Sequence, residues 1–251
     1  MSLQPFLMCS SSVIYGRKVD LITMLDTTVI QEFQRIVGTN HALQEEVLTT
    51  SYTTDWTGRF KGSSPMVLRP ADTSEVSELV KVALRAGLSI VPQGGNTGLV
   101  GGSVPLHQEI VVSTLRMDHC EPVDALAQQV TVGSGVTLAD AQSHVSSLNL
   151  EIGVDLAARD SCTIGGMIAT NAGGINVVRY GPMRDQILGI EAVLSDGSII
   201  SHLEGLEKDN TGYNFPGLLA GSEGTLAIIT KARLRLHPPV SYTHLTLPTK
   251  A

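Results

Sequence analysis

The stretch PQGGNTGLVGGS, residues 92–103, decides how this chain is read. Five of its twelve residues are glycine, and the strand-like run LSIV at 88–91 leads straight into it. A helix-like run at 73–86 precedes that strand. Glycines at this density let the backbone turn through positive φ and bring its N–H groups close to a ligand. A nest of such amides is a cradle for phosphate or pyrophosphate. Two familiar cradles do not fit. A Rossmann turn needs G-x-G-x-x-G opening a helix, with an acidic residue about 20 positions on, whereas LVGGSVP at 99–105 cannot sustain a helix. A Walker loop needs Gly-Lys-Ser/Thr, and this loop holds no lysine. The reading is therefore a different pyrophosphate cradle, made of backbone amides with the side chains of Asn96, Thr97 and Ser103 as further donors.

Working outward, residues 27–37 place Val29, Ile30, Phe33, Ile36 and Val37 at helical spacing, with Gly38 as the stop. Residues 51–62 form a polar loop holding the single tryptophan, and 65–70 a short strand ended by proline. Asp72 or Thr73 caps the next helix and Gly87 closes it, giving a β-α-β order. Strands follow at 109–113 and 129–133, then a helix at 137–148 with Leu138, Ala141, Val145 and Leu148 facing inward. Residues 186–200 read as a hairpin turning at Asp196-Gly197, and 224–236 as a last alternating strand. The expected fold class is α+β in two subdomains. One carries a small parallel sheet with the 73–86 helix; the other carries a larger mixed, mainly antiparallel sheet.

Two more segments share the loop's character. SCTIGGMIATNAGG, 161–174, is small, glycine-rich and free of charge, so a large planar ligand can lie close to it; tight helix–sheet packing would favour the same residues. LAGSEGTLAIIT, 219–230, has a Gly-Ser-Glu-Gly turn before an apolar strand. There Glu223 either hydrogen-bonds a ligand hydroxyl or caps the turn.

Taken together these segments resemble the PCMH-type FAD-binding domain of the vanillyl-alcohol oxidase superfamily. Within it the pattern is most similar to the FAD-linked oxidases that include D-2-hydroxyglutarate dehydrogenase, D-lactate dehydrogenase and the glycolate oxidase D subunit. The text that carries the resemblance is 92–103, 161–174 with RYG at 179–181, and GSEGTLAIIT at 221–230. DWTG at 55–58 and KDNTGYN at 208–214 resemble the group as well. The resemblance implies FAD as cofactor, with its pyrophosphate held by Pro92, Gly94, Gly95, Asn96, Thr97, Gly98, Leu99, Gly102 and Ser103. Ser161, Thr163, Ile164, Gly165, Gly166, Thr170, Asn171, Ala172, Gly173 and Gly174 would line the pyrophosphate, ribose and flavin side. Glu223, Gly224, Ile228 and Ile229 would approach the adenosine. Some relatives attach flavin through a histidine beside the first glycine loop; Gly94 and Gly95 stand there, so the FAD is expected to be non-covalent. The implied reaction oxidises a small-molecule D-2-hydroxy acid to the 2-oxo acid, the electron acceptor being unassigned. A related alditol or alcohol oxidase, and a catalytically inert FAD-binding module, are the alternatives.

The implied layout is an N-terminal helix and loop at 25–60 and the FAD-binding domain at 61–240. Residues 1–24 read as a disordered or mis-started end, and 241–251 as a non-native-looking tail. The substrate domain of the family, which would carry the catalytic and metal residues, is expected beyond this chain. Composition narrows the partners. A formal net charge of −7 and 4% aromatic residues disfavour a nucleic-acid partner. No apolar run reaches membrane-spanning length. Three cysteines without C-x-x-C spacing, and seven histidines without metal-ligand spacing, predict reduced thiols, no zinc site and a cytoplasmic protein. Assembly is left open, a homodimer included.

Overall fold

The computed structural model describes residues 25–239. The expectations for 1–24 and 241–251 lie outside them. The first subdomain opens with α1, Thr27–Val37, capped by Asp26, whose Oδ1 accepts from the Thr28 amide at 2.8 Å. Its predicted apolar stripe turns Phe33 and Val37 into the core, and Gly38 ends it. β1 (Ala42–Leu43), α2 (Glu46–Thr53) and β2 (Val67–Leu68) follow, then α3, Thr73–Ala86. Asp72 caps α3 through the Glu75 amide, and Gly87 takes the left-handed conformation that closes it. Val76, Leu79, Val80 and Ala83 face inward from α3. β3 (Ile90–Gln93) and β4 (Ile110–Ser113) complete a sheet of order β1-β2-β4-β3. Both pairings of β4 are parallel and the β1–β2 pairing is antiparallel. The carboxyl ends of β2, β4 and β3 therefore share one edge, and the glycine-rich loop leaves from it.

The second subdomain runs β5 (Gln129–Gly133), α4 (Leu138–Ser146), β6 (Glu151–Ile152), α5 (Ile164–Ala169), α6 (Val177–Tyr180) and α7 (Met183–Gln186). It ends with β7 (Ile187–Leu194), β8 (Ile199–His202), α8 (Phe215–Leu219) and β9 (Ala227–His237). Its sheet has order β5-β9-β7-β8, with β6 beside the end of β9. Every pairing within it is antiparallel, so the one mixed sheet is the first.

Three readings of the sequence shift. The helix expected over 137–148 stops at Ser146, and Leu148 is exposed while Leu150 enters the core. Asn149, at φ 56°, turns the chain between them. β9 alternates only after Thr230; Ala227, Ile228, Ile229 and Thr230 are all buried. The reason is that β9 lies between two cores: Ile228 packs with α1 and α3, while Ile229 packs with α4 and α5. The polar loop expected from residue 51 begins as the end of α2, a helix with no apolar periodicity, whose Val47 and Leu48 are exposed.

The two subdomains are joined through Glu191 of β7. Its Oε1 lies 2.5 Å from the Thr73 hydroxyl at the start of α3 and 3.1 Å from Lys231 Nζ on β9. Its Oε2 accepts from Ser201 on β8 at 3.0 Å. Burial pushes the Glu191 carboxyl up, but the hydrogen bonds from Thr73, Lys231 and Ser201 and the Lys231 charge outweigh it, leaving the group below its ordinary value.

Candidate functional site

A cleft of about 490 Å³ lies between the two subdomains, and the three glycine segments form its walls. The first wall is the loop after β3: Pro92, Gly94, Gly95, Asn96, Thr97, Gly98, Leu99, Gly102 and Ser103 all line it. The second comes from α5 and its flanks, with Thr163, Gly165, Gly166, Thr170 and Ala172. The third is the start of β9 and the turn before it, with Glu223, Gly224, Ile228 and Ile229.

Five expected residues stand off the wall. Ile164 is 0% exposed in the second core, as the inward side of α5 requires. Ser161 presents its carbonyl to the back of the first loop. Asn171 accepts the Arg184 amide at 2.9 Å, Gly173 faces Val177, and Gly174 is backed by the Asp155 carbonyl. Several wall residues escaped the sequence reading, among them Gln93, Thr114, Leu156, Ala158 and Cys162. Gln93 and Cys162 sat inside quoted motifs; Thr114 follows directly on the strand read at 109–113, and that position at a parallel sheet's carboxyl edge was the available signal.

The first two walls touch so closely that only glycine fits. A Cβ on Gly95 would fall 1.8 Å from the Ser161 carbonyl oxygen, and one on Gly94 would fall 2.3 Å from Thr163 Oγ1. Asn96 was expected to donate to a ligand, and its side chain does something else. Its Nδ2 donates to the carbonyls of Ser51 (3.3 Å) and Thr54 (2.9 Å), while its Oδ1 accepts from the Ser103 hydroxyl at 2.8 Å. Gln93, 2% exposed, adds Nε2 bonds to the carbonyls of Tyr52 and Ser103. Both amide protons of Asn96 and the hydroxyl proton of Ser103 are therefore engaged within the protein. The side chains shape the cradle, and its backbone is left to hold a ligand.

That backbone suits a pyrophosphate on two counts. Among the described residues the N–H groups of Gly94, Gly95, Asn96, Thr97 and Gly98 have no acceptor. Half-buried amides without acceptors are costly unless a ligand or water completes them. Among the described residues Glu223 is also the only ionisable carboxyl or basic side chain on the walls, so a bound dianion would be balanced by these amide dipoles. The Glu223 side chain makes no hydrogen bond to its own turn. Its backbone amide instead donates to Ala169 O at 2.8 Å, and its Oε2 lies beside Gly102.

Comparison with known proteins agrees with this geometry. A family model described as an FAD binding domain matches residues 64–202. A rice protein named probable D-2-hydroxyglutarate dehydrogenase, mitochondrial, is 40% identical over 222 residues, covering 88% of this chain and 40% of its own length. An Arabidopsis thaliana protein named D-2-hydroxyglutarate dehydrogenase, mitochondrial, is 36% identical over 236 residues, covering 94% of this chain and 42% of its own. The chain thus spans about two-fifths of the length of the curated relatives it matches. A solved alkyldihydroxyacetonephosphate synthase superposes with a TM-score of 0.75 at 21% identity, over 85% of this chain and 41% of that one, a likeness of fold.

The expectation of a cytoplasmic protein is corrected by these relatives, which are named as mitochondrial. Unpaired cysteines report a reducing compartment without telling one from another. The absence of a long apolar helix holds for the described residues. The α+β fold, the cleft between its halves and the matched sequence converge: this chain belongs to the FAD binding domain family, and FAD is its cofactor.

Proposed function

We propose that this chain is the cofactor-holding part of a flavin-dependent dehydrogenase that oxidises a D-2-hydroxy acid, of the 2-hydroxyglutarate or lactate class, to the 2-oxo acid. The observation that carries the reading is the 40% identity to a D-2-hydroxyglutarate dehydrogenase over 222 residues, 88% of this chain. When bound, FAD supplies a two-electron acceptor for the substrate's α-hydrogen. The residues of this chain bind and orient. Gly94 to Gly98 offer their amides to the pyrophosphate, with Asn96, Gln93 and Ser103 holding the loop open. Thr163, Gly165 and Gly166 let the second wall approach closely. Glu223, with no partner in its own turn, accepts from a ribose hydroxyl, and Ile228 and Ile229 form an apolar floor.

The attachment is non-covalent. Among the described residues no histidine or tyrosine lines the cleft, and the one thiol there, Cys162, is pushed up by burial and stays protonated. The protein works in mitochondria, as its relatives' names indicate.

Adding FAD to the purified protein is expected to give a yellow complex whose flavin is released by acid precipitation. In the full-length gene product the visible flavin band is expected to bleach anaerobically with D-2-hydroxyglutarate or D-lactate. A protein that stays colourless with FAD would sink the reading; bleaching by polyols alone would move the substrate class to alditols.

A further inference from the structure

On the same edge of the first sheet as the glycine loop, but away from the cleft, three basic side chains come together. His41 directly precedes β1, Arg69 directly follows β2, and Arg116 lies three residues beyond β4. The Arg69 amide donates to His41 O at 2.9 Å, and Arg116 Nη1 donates to Arg69 O at 2.5 Å. All three residues are half-buried. We propose that His41, Arg69 and Arg116 form a second oxyanion site, which takes a phosphate group at the carboxyl edge of the first sheet.

Charge accounting leads there. Neither arginine has a carboxylate within salt-bridge distance among the described residues, in a chain whose formal net charge is −7. The Arg69 guanidinium makes no hydrogen bond, and its Nε is buried without a partner, as is Nδ1 of His41. Glu75, the acid whose charge reaches His41, has its Oε2 on the Ala71 amide at 2.7 Å. Burial lowers the His41 pKa, and the charges of Arg116 and Arg69 lower it further against Glu75. Half-buried like charges repel one another and lose hydration, an arrangement that an anion relieves.

Phosphate fits better than a single carboxylate. Two planar guanidinium forks offer paired donors, and a dianion balances both. Carboxyl edges of parallel strands are also where open α/β sheets bind ligands. The site is separate from the cofactor cleft, since none of the three residues lines it, and the inference does not rest on the proposed activity.

The test titrates inorganic phosphate, and separately methyl phosphate, into the 251-residue chain by calorimetry and ³¹P NMR. It is run with and without saturating FAD, at fixed ionic strength with chloride as the control. Saturable binding and a melting temperature raised by phosphate over chloride are expected in both FAD arms. Arg69→Gln, which breaks no hydrogen bond of the fold, should weaken binding at least about tenfold. Its melting temperature in chloride should be equal to or above that of the wild type. Arg116→Lys, which keeps the charge and loses the fork, should weaken it less. Tighter methyl phosphate would identify a phosphate monoester as the ligand, tighter inorganic phosphate the free ion. Binding no stronger than chloride, unchanged in Arg69→Gln, or abolished by FAD would overturn the inference. The last outcome would place the phosphate on the glycine loop and leave the FAD reading intact.

Discussion

Two residues of the first loop show how the cradle is made. At Gly95 the constraint is contact: any side chain meets the Ser161 backbone oxygen, which cannot swing aside. Gly95→Val should destabilise the protein by about 2 kcal/mol or more and abolish retention of FAD, read by thermal melting and by flavin co-purification. At Asn96 the constraint is conformational and polar together. Its φ of 52° is left-handed, and its side chain joins three partners. Asn96→Ala should cost about 2–4 kcal/mol in urea unfolding, whereas Asn96→Gly, free to keep the left-handed backbone, should lie roughly 1 kcal/mol closer to wild type. Both should weaken FAD binding, since both release the loop from Ser51 and Thr54. Equal stability of the Ala and Gly variants would mean that the backbone conformation contributes nothing.

At the scale of elements, β7 and β9 act as the wall common to both cores. Ile228, 1% exposed, faces the α1–α3 side while its neighbour Ile229 faces the other. Ile228→Ala should cost about 2–4 kcal/mol and should loosen the cleft floor as well, so denaturation and FAD affinity should fall together. Glu191 ties the same strand to α3, β8 and β9. Its folded pKa is depressed, so its contribution is present above the unfolded carboxylate value of roughly 4.3 and is lost as pH falls through the lower folded value. Stability measured by urea should therefore decline from about pH 5 downward. Glu191→Gln should be less stable at pH 7 by about 1–2 kcal/mol, with a shallower acid decline. An identical pH profile in the variant would show that other carboxylates account for the decline.

At the scale of the molecule, the cleft takes its walls from both subdomains, so FAD should couple them. Ligand at 100 times its dissociation constant stabilises by about 2.7 kcal/mol. Hydrogen exchange should show added protection at the loop amides 94–98, at α5 and at the start of β9 alike. Protection confined to one subdomain would mean that FAD contacts only one wall.

Much of this was legible along the chain because it is local. The α1 and α3 boundaries follow from apolar spacing, a cap at Asp72 and glycines at 38 and 87. The hairpin between β7 and β8 follows from Asp196-Gly197. The three glycine segments pointed to the cofactor because together, in that order, they carry the family resemblance. What stayed hidden lacks a local signature. α2 has no apolar stripe, and the end of α4 depends on where Leu150 finds core. Asn96 looked like a ligand donor, since nothing in the sequence places Ser51 and Thr54 beside it.

The sequence by itself determined most of the helices and strands and, through the family its motifs resemble, the cofactor class. Only the tertiary structure decided which groups remain free for the cofactor, because a hydrogen bond formed within the protein removes its donor from the site. It also decided that Arg69 and Arg116, 47 residues apart, meet without an acid between them. Strand order β1-β2-β4-β3 sets that encounter, and no local pattern of residues encodes it.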